Sequence, residues 1–161
     1  MNKADQVIMG FRNVYNKIVF LNKFKMEEEL KEYKSSEVHC IEYIGGNEDC
    51  NVTKLAESFY MTRGAISKIT KKLIAKGIIK SYQKPENKKE IFFSLTGKGT
   101  EVYKIHEKLH QEFRERDKAI FEQVTDEQYD IMLDFVHKYI SHLDEEIKKQ
   151  GVEPLNLNEF E

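Results

Sequence analysis

The sequence predicts a mainly α-helical fold with one β-hairpin, and three observations support this class. Apolar residues recur at steps of three and four along much of the 161-residue chain, which is the spacing of amphipathic helices. Charged residues make up 34% of the chain, with only 2 prolines and 8 glycines, a composition typical of long solvated helices. Two β-rich runs lie close together at residues 78–82 and 90–95. The length and the 40% hydrophobic content suit a single domain with its own core.

The N-terminal part of the chain is predicted to form two helices. The first thirty-odd residues form a long amphipathic helix, because their apolar residues follow helical spacing. Ser35 or Ser36 can cap a second, short helix through Ile44, and the Gly45-Gly46-Asn47 run is expected to stop it. The apolar face of the first helix consists of Val7, Ile8, Phe11, Val14, Ile18, Leu21 and Phe24.

The middle of the chain is predicted to form two helices followed by the hairpin. Asn51 is a suitable N-cap for the third helix and Thr62 for the fourth, and Gly77 lies where a left-handed C-cap is needed. The run Q-K-P-E-N-K-K then joins the two strands as a basic hairpin tip. The inward residues are Leu55, Ala56 and Phe59 in the third helix and Ile66, Ile69, Leu73 and Ile74 in the fourth.

The C-terminal part is predicted to form two more helices, which gives six in total. Thr96 can cap the fifth, which continues to about Phe121, and Thr125 or Asp126 starts the sixth. Gly151 and Pro154 end it, leaving residues 150–161 as a tail. The apolar positions are Val102, Ile105, Leu109 and Phe113 in the fifth helix and Met132, Phe135, Val136, Tyr139, Ile140, Leu143 and Ile147 in the sixth.

Charge is concentrated in the middle of the chain. Residues 52–90 carry ten Lys and Arg against three acidic residues, a local charge of +7, whereas the rest carries 16 basic and 25 acidic residues, or −9. A polyanion would therefore bind the middle of the protein and be repelled by its ends. Together with two capped helices and a basic hairpin, this pattern predicts a winged helix-turn-helix that binds double-stranded DNA.

The fourth helix is the candidate DNA-reading helix. Its first turns offer outward side chains, and the first turns of a recognition helix reach base edges in the major groove. Arg63 is the expected base reader, since Arg can pair bidentately with guanine. Gly64 fits either a close backbone approach to DNA or a glycine that is merely tolerated. The candidate DNA-binding residues are Thr62, Arg63, Gly64, Ser67, Lys68, Lys71, Lys88 and Lys89, the last three on phosphates.

The segment K-L-A-E-S-F-Y-M-T-R-G-A-I-S-K-I-T-K-K-L-I-A-K-G-I-I, followed by I-F-F-S-L-T-G-K-G, resembles the multiple antibiotic resistance regulator (MarR) family. The resemblance extends from the first helix to about Lys149. It implies a homodimeric regulator, usually a repressor of a pseudo-palindromic operator, that responds to a small effector. It further implies that residues 35–96 form the winged helix-turn-helix and that residues 1–34 and 97–149 form the dimer interface. At the wing tip the chain has Asn87-Lys88-Lys89 where an Asp-Arg-Arg type is common, which favours phosphate contacts over minor-groove reading.

Histidines suggest a metal-responsive alternative. His106 and His110 are four residues apart on one helix face, a spacing that zinc often uses. Together with His39, which lies near Glu37 and Glu42, they are similar to the zinc-responsive adhesin competence repressor branch of the family. The carboxylate that the first helix supplies there has no counterpart at Leu21-Asn22, and Glu107 or the acidic run at residues 27–29 are the candidates to replace it. The alternative interpretation is ordinary surface histidines.

Other function classes find little support. The sequence contains no G-x-S-x-G, phosphate loop or H-E-x-x-H motif, so no enzymatic activity is expected. A winged helix that binds a protein partner instead of DNA is the alternative from another class. No run approaches the roughly 18 apolar residues of a membrane span and the start lacks a signal peptide, which predicts a cytoplasmic protein. Cys40 and Cys50 are too few for a disulfide framework, and Cys40 is interpreted as a core residue.

Overall fold

The computed structural model describes residues 1–151 and contains there six helices and a small antiparallel sheet. The predicted fold class is confirmed. Of the predicted tail, Gln150 and Gly151 follow the last helix, and Pro154 lies outside the described residues. The elements are α1 (Lys3–Glu29), α2 (Ser35–Gly46), β1 (Cys50–Asn51), α3 (Val52–Ser58), α4 (Arg63–Ala75), β2 (Ile79–Lys84), β3 (Asn87–Leu95), α5 (Gly97–Phe121) and α6 (Asp126–Lys149).

Four helices begin where side-chain caps were predicted. The side chains of Asn51, Thr62, Thr96 and Thr125 each accept the backbone N–H three residues on, at 2.8 to 3.3 Å. These contacts satisfy N–H groups that have no partner inside the helix. Gly77 follows α4 with φ of 72°, so the predicted left-handed C-cap is confirmed.

The start of α2 differs from the prediction. Lys34 is its N-cap residue, so the predicted cap at Ser35 or Ser36 is wrong. The Glu37 carboxylate instead accepts the Lys34 backbone N–H at 2.9 Å. The helix also runs through Gly46, past the predicted end at Ile44. The Tyr103 ring packs on Gly45, where a Cβ atom would lie 2.4 Å from a ring carbon.

The sheet has three strands in the order β1-β3-β2, one more than the predicted hairpin. Cys50 pairs with Phe93 and Asn51 with Phe92, while β2 and β3 form the antiparallel wing. A two-residue strand has no periodicity of its own, so only the partner strand defines it.

The core lies in the middle of the chain, where α2, α3, α4 and the start of α5 pack against the sheet. On α4 the buried residues are Ile66, Thr70 and Leu73, whereas Ile74 is exposed, so its predicted inward position is wrong. In contrast, α1 and α6 contain no buried residue, and their apolar faces are open in the single chain. None of the helices among residues 1–151 has the length and apolarity needed to cross a membrane.

Candidate nucleic-acid interface and histidine cluster

The outer face of α4 presents the side chains that were predicted to read DNA. Arg63, Ser67 and Lys71 follow one another at four-residue steps, which places them on one side of the helix. Arg63, Gly64, Lys68 and Lys71 are exposed and Ser67 is half-buried. The Thr62 oxygen accepts the Ala65 N–H at 3.2 Å, so Thr62 acts first as the helix cap.

Ion pairs divide the ten basic residues of the 52–90 segment into two groups. Lys72 and Lys76 contact the buried Glu37, and Lys84 contacts Asp49, all at 2.5 to 3.2 Å. The other seven are exposed and have no ion pair with any residue in the described part of the chain. This unpaired group consists of Lys54, Arg63, Lys68, Lys71, Lys80, Lys88 and Lys89, and it supplies the positive charge that a polyanion could meet.

The tip of the wing is shaped by Asn87. Its side-chain oxygen accepts the backbone N–H groups of Lys89 and Glu90 at 3.2 Å, and its amide donates to the Glu90 carboxylate at 3.1 Å. Gln83 on the opposite strand donates to the Lys88 carbonyl at 2.7 Å. The lysine side chains at the tip take no part in this network and point into solvent as exposed cations.

The end of β2 next to the hairpin turn is held by Asp49, which the sequence did not single out. Asp49 accepts Lys84 Nζ at 2.5 Å and the Tyr82 hydroxyl at 3.2 Å, and Lys84 Nζ lies 5.2 Å from the centre of the Phe92 ring. The hydrogen bond from Lys84 holds the pKa of the Asp49 carboxyl below its ordinary value. The wing is thereby attached to the segment that precedes β1.

Glu42 of α2 forms a compact cluster with His106 and His110 of α5, the two histidines predicted from their spacing. The Nε2 atoms of His106 and His110 are 3.0 Å apart, and each lies 3.9 Å from a Glu42 oxygen. Four-coordinate zinc with ligands at about 2.0–2.1 Å holds tetrahedral donors roughly 3.3 Å apart, so these separations suit a divalent metal. His106 is buried, and its Nδ1 has no hydrogen-bond partner among residues 1–151.

His39 and Glu107, which were predicted as metal ligands, lie outside this cluster. The His39 Nδ1 atom is 3.8 Å from a Glu42 oxygen, but His39 is exposed and is not among the three mutually close donors. Glu107 is exposed and also outside that group, and Glu42 provides the carboxylate. Glu42 lies three residues after His39 on α2, a helical spacing that could have identified it from the sequence.

The protonation states of the cluster favour cation binding. Burial lowers the pKa of His106, which keeps its imidazole neutral, the form that coordinates metals. The nearby His39 imidazole lowers the pKa of Glu42, which keeps its carboxylate charged. The neutral imidazole of His106 and the charged carboxylate of Glu42 therefore lie side by side, as the ligands of a cation would.

The two cysteines are structural residues of the core. Both Cys40 and Cys50 are fully buried, which agrees with the interpretation of Cys40 as a core residue. Burial raises the pKa of Cys40 to about 12 and that of Cys50 to about 11, so both remain unreactive thiols at neutral pH.

Similarity to known proteins was found at the level of family, sequence and fold. Residues 34–91 match the MarR family model. The chain is 34% identical over 93 residues to the uncharacterized HTH-type transcriptional regulator YhjH of Bacillus subtilis, covering 58% of this chain and about half, 53%, of that protein. It is 28% identical over 148 residues to the HTH-type transcriptional regulator PchR of the same organism, covering 83% of this chain and 88% of PchR.

Solved structures share the fold. FabT of Streptococcus pneumoniae, solved in complex with DNA, superposes with a TM-score of 0.75 at 17% identity, over 89% of this chain and 99% of FabT. ZitR of Lactococcus lactis, a zinc-responsive MarR family member, superposes with a TM-score of 0.54 at 22% identity, over 69% of this chain and 76% of ZitR.

The matched proteins are transcriptional regulators, which confirms the expectation that the chain is not an enzyme. The family-model match lies on the winged helix-turn-helix, whereas the alignment with PchR and the likeness in fold extend into the long flanking helices. The chain is therefore similar to the MarR family over its winged helix-turn-helix, and similar to named HTH-type transcriptional regulators and to solved structures over more of its length.

Proposed function

We propose that this chain is a sequence-specific DNA-binding regulator that acts as a homodimer in the cytoplasm and represses transcription from a pseudo-palindromic operator. The observation that carries the proposal is the outer face of α4, whose cations are exposed and unpaired while its other face packs into the core. Both PchR and YhjH are transcriptional regulators by name, and FabT was solved with DNA, which supports the same function.

In the proposed complex the two α4 helices of a dimer enter successive major grooves about 34 Å apart. Arg63 is the main base reader, with Thr62, Ser67 and Lys68 beside it. Lys71, Lys88 and Lys89 contact phosphates, which position the protein but carry no sequence information. The long flanking helices, residues 1–34 and 97–149, form the dimer interface.

Replacing Arg63 by Ala tests this assignment. We expect a loss of about 1–3 kcal/mol in operator binding and a weaker preference at one position in each half-site. The preferred sequence is obtained by selection from a random duplex pool with each protein. Lys88→Gln is the control, because it should weaken binding to all sequences alike and flatten the salt dependence. An unchanged preferred sequence in Arg63→Ala contradicts the assignment of roles.

A metal-responsive regulator is the second candidate function, and the cluster of Glu42, His106 and His110 favours it. These three residues would hold a divalent metal, most simply zinc, with His39 as the fourth ligand if its side chain turns inward. The metal would supply a bond between α2, which packs on α4, and α5. Fixing these helices would set the spacing of the two DNA-reading helices, with a coupling typically about 1–3 kcal/mol.

Operator binding measured with zinc and with a chelator tests the metal proposal. We expect the operator affinity to differ between the two conditions in the wild type, and metal affinity to fall as pH drops through about 6.5 because imidazole must be neutral to coordinate. His106→Ala should remove the difference, whereas His142→Ala, on the exposed surface of α6, should retain it. The same affinity under all conditions would rule out the metal proposal.

A further inference from the structure

Glu37 is a buried carboxylate to which the proposed function gives no role. Only 2% of the residue is exposed, and its side chain extends from the first turn of α2 to α4. One oxygen lies 3.2 Å from Lys72 Nζ, and the other lies 3.0 Å from Lys76 Nζ. We call Glu37, Lys72 and Lys76 the Glu37 triad.

Further contacts fix one of the two lysines. Lys76 Nζ also donates to the Glu32 carbonyl at 3.0 Å and lies 4.9 Å from the centre of the Tyr33 ring. The Lys76 side chain is 29% exposed and that of Lys72 is 51% exposed. The triad therefore directs both ammonium groups toward the body of the protein and away from the outer face of α4.

An unpaired lysine on this helix would have a different effect. Each cation that neutralises a phosphate adds affinity that is independent of sequence. Lys71, the immediate neighbour of Lys72, is exposed and unpaired, and it shows what an unrestrained lysine on α4 offers. Two more such cations would tighten binding to every DNA sequence alike, whether operator or non-operator.

We propose that Glu37 limits the sequence-independent affinity for DNA as a positioning residue, by holding Lys72 and Lys76 away from phosphates and α4 against α2. This inference rests on the proposed DNA-binding function. It requires that Glu37 stay ionised. Burial alone would raise the pKa of its carboxyl, but the hydrogen bonds from the Lys34 N–H and from Lys76, with the nearby charge of Lys72, outweigh burial and leave the pKa below its ordinary value.

Two adjacent lysines give the first test, which leaves Glu37 in place. Lys71→Gln and Lys72→Gln remove the same charge from neighbouring positions of one helix. The measurement is the slope of log affinity against log salt on a non-operator duplex. We expect Lys71→Gln to flatten the slope by about 0.9, the value for one phosphate contact, and Lys72→Gln to leave it unchanged. A Lys72→Gln slope as flat as that of Lys71→Gln overturns the inference.

Glu37→Gln gives the second test, since Gln keeps the size of the side chain and an acceptor for the Lys34 N–H. We expect the salt slope to steepen by up to about 1.8, for two phosphate contacts, on operator and non-operator duplexes alike. The triple variant Glu37→Gln, Lys72→Gln, Lys76→Gln should return the slope to the wild-type value. A folded Glu37→Gln protein with the wild-type slope overturns the inference.

The two proposals fail in different ways. If the wild type binds DNA weakly at low salt and without a steep salt dependence, the proposed function fails. If the wild type binds its selected operator but Lys72→Gln flattens the slope, only the inference about Glu37 fails. The comparison of Lys71→Gln with Lys72→Gln tests the inference even when Glu37→Gln does not fold.

Discussion

At the scale of single residues, the space around Gly64 bears on two interpretations that the sequence left open. Glycine in the first turns of a helix costs roughly 1 kcal/mol relative to alanine. A Cβ atom built on Gly64 would meet nothing within 4 Å in the protein. Packing inside the monomer therefore does not require glycine there, and close approach of the backbone to DNA remains a reason for it.

Gly64→Ala should raise the free energy of unfolding by up to about 1 kcal/mol and weaken operator binding. Stability is measured by urea denaturation and binding by fluorescence anisotropy. Gly97→Ala is the matched control, because Gly97 also begins a helix with open space around it and lies outside the predicted reading face. If Gly64→Ala is more stable and binds the operator as tightly as the wild type, the glycine is merely tolerated.

At the scale of elements, the wing depends on an attachment outside its own strands. Asp49 receives hydrogen bonds from Lys84 and Tyr82, both on β2. Asp49 has φ of 54°, in the left-handed region that Asn also adopts readily. Asp49→Asn therefore keeps the backbone while removing the charge that holds Lys84.

The attachment of the wing should depend on pH. The folded pKa of Asp49 is depressed, so the contact contributes fully above its ordinary pKa of 3.8 and is lost as pH falls through the lower folded value. Amide exchange or NMR shifts of the wing should show loosening at acidic pH in the wild type. Asp49→Asn should show the loosened wing already at pH 7, and a wing that is equally ordered in both proteins would contradict this.

At the scale of the whole molecule, the outer helices leave apolar surface uncovered. No residue of α1 or α6 is buried, and Phe11 of α1 meets Phe135 of α6 with ring centroids 6.2 Å apart. Val14 is 57% exposed on the apolar face of α1. Large exposed apolar faces mark association sites, and a second copy of the chain is the proposed partner.

Sedimentation at micromolar concentration should give a dimer for the wild type. Val14→Glu should shift it toward the monomer, because the interface would then bury a carboxylate without a partner. Asn16→Glu introduces the same charge on another face of α1 and should remain dimeric. A monomeric wild type would rule out the dimer proposal.

Most of the helix boundaries could be predicted because their signals are local. The caps at Asn51, Thr62, Thr96 and Thr125 act within three residues, and Gly77 ends α4 through its own backbone angle. The α2 cap was missed because the carboxylate of Glu37, the third residue of the helix, accepts the Lys34 N–H. Ser35 and Ser36 are residue types that usually cap helices, and they led to the wrong prediction. Apolar spacing likewise identified the core helices, since burial of one face repeats with the helical turn.

The sequence by itself determined the six helices, the wing and the basic middle segment, because periodicity, caps and charge are properties of neighbouring residues. Only the tertiary structure decided which charges are paired, since Glu37 and Lys76 are 39 residues apart and Asp49 and Lys84 are 35 apart. It also brought Glu42 to His106 and His110, and placed Gly99 so close to Ile78 that a Cβ atom would lie 2.0 Å from the carbonyl oxygen. Such contacts depend on how elements pack, and packing leaves no local pattern in the chain.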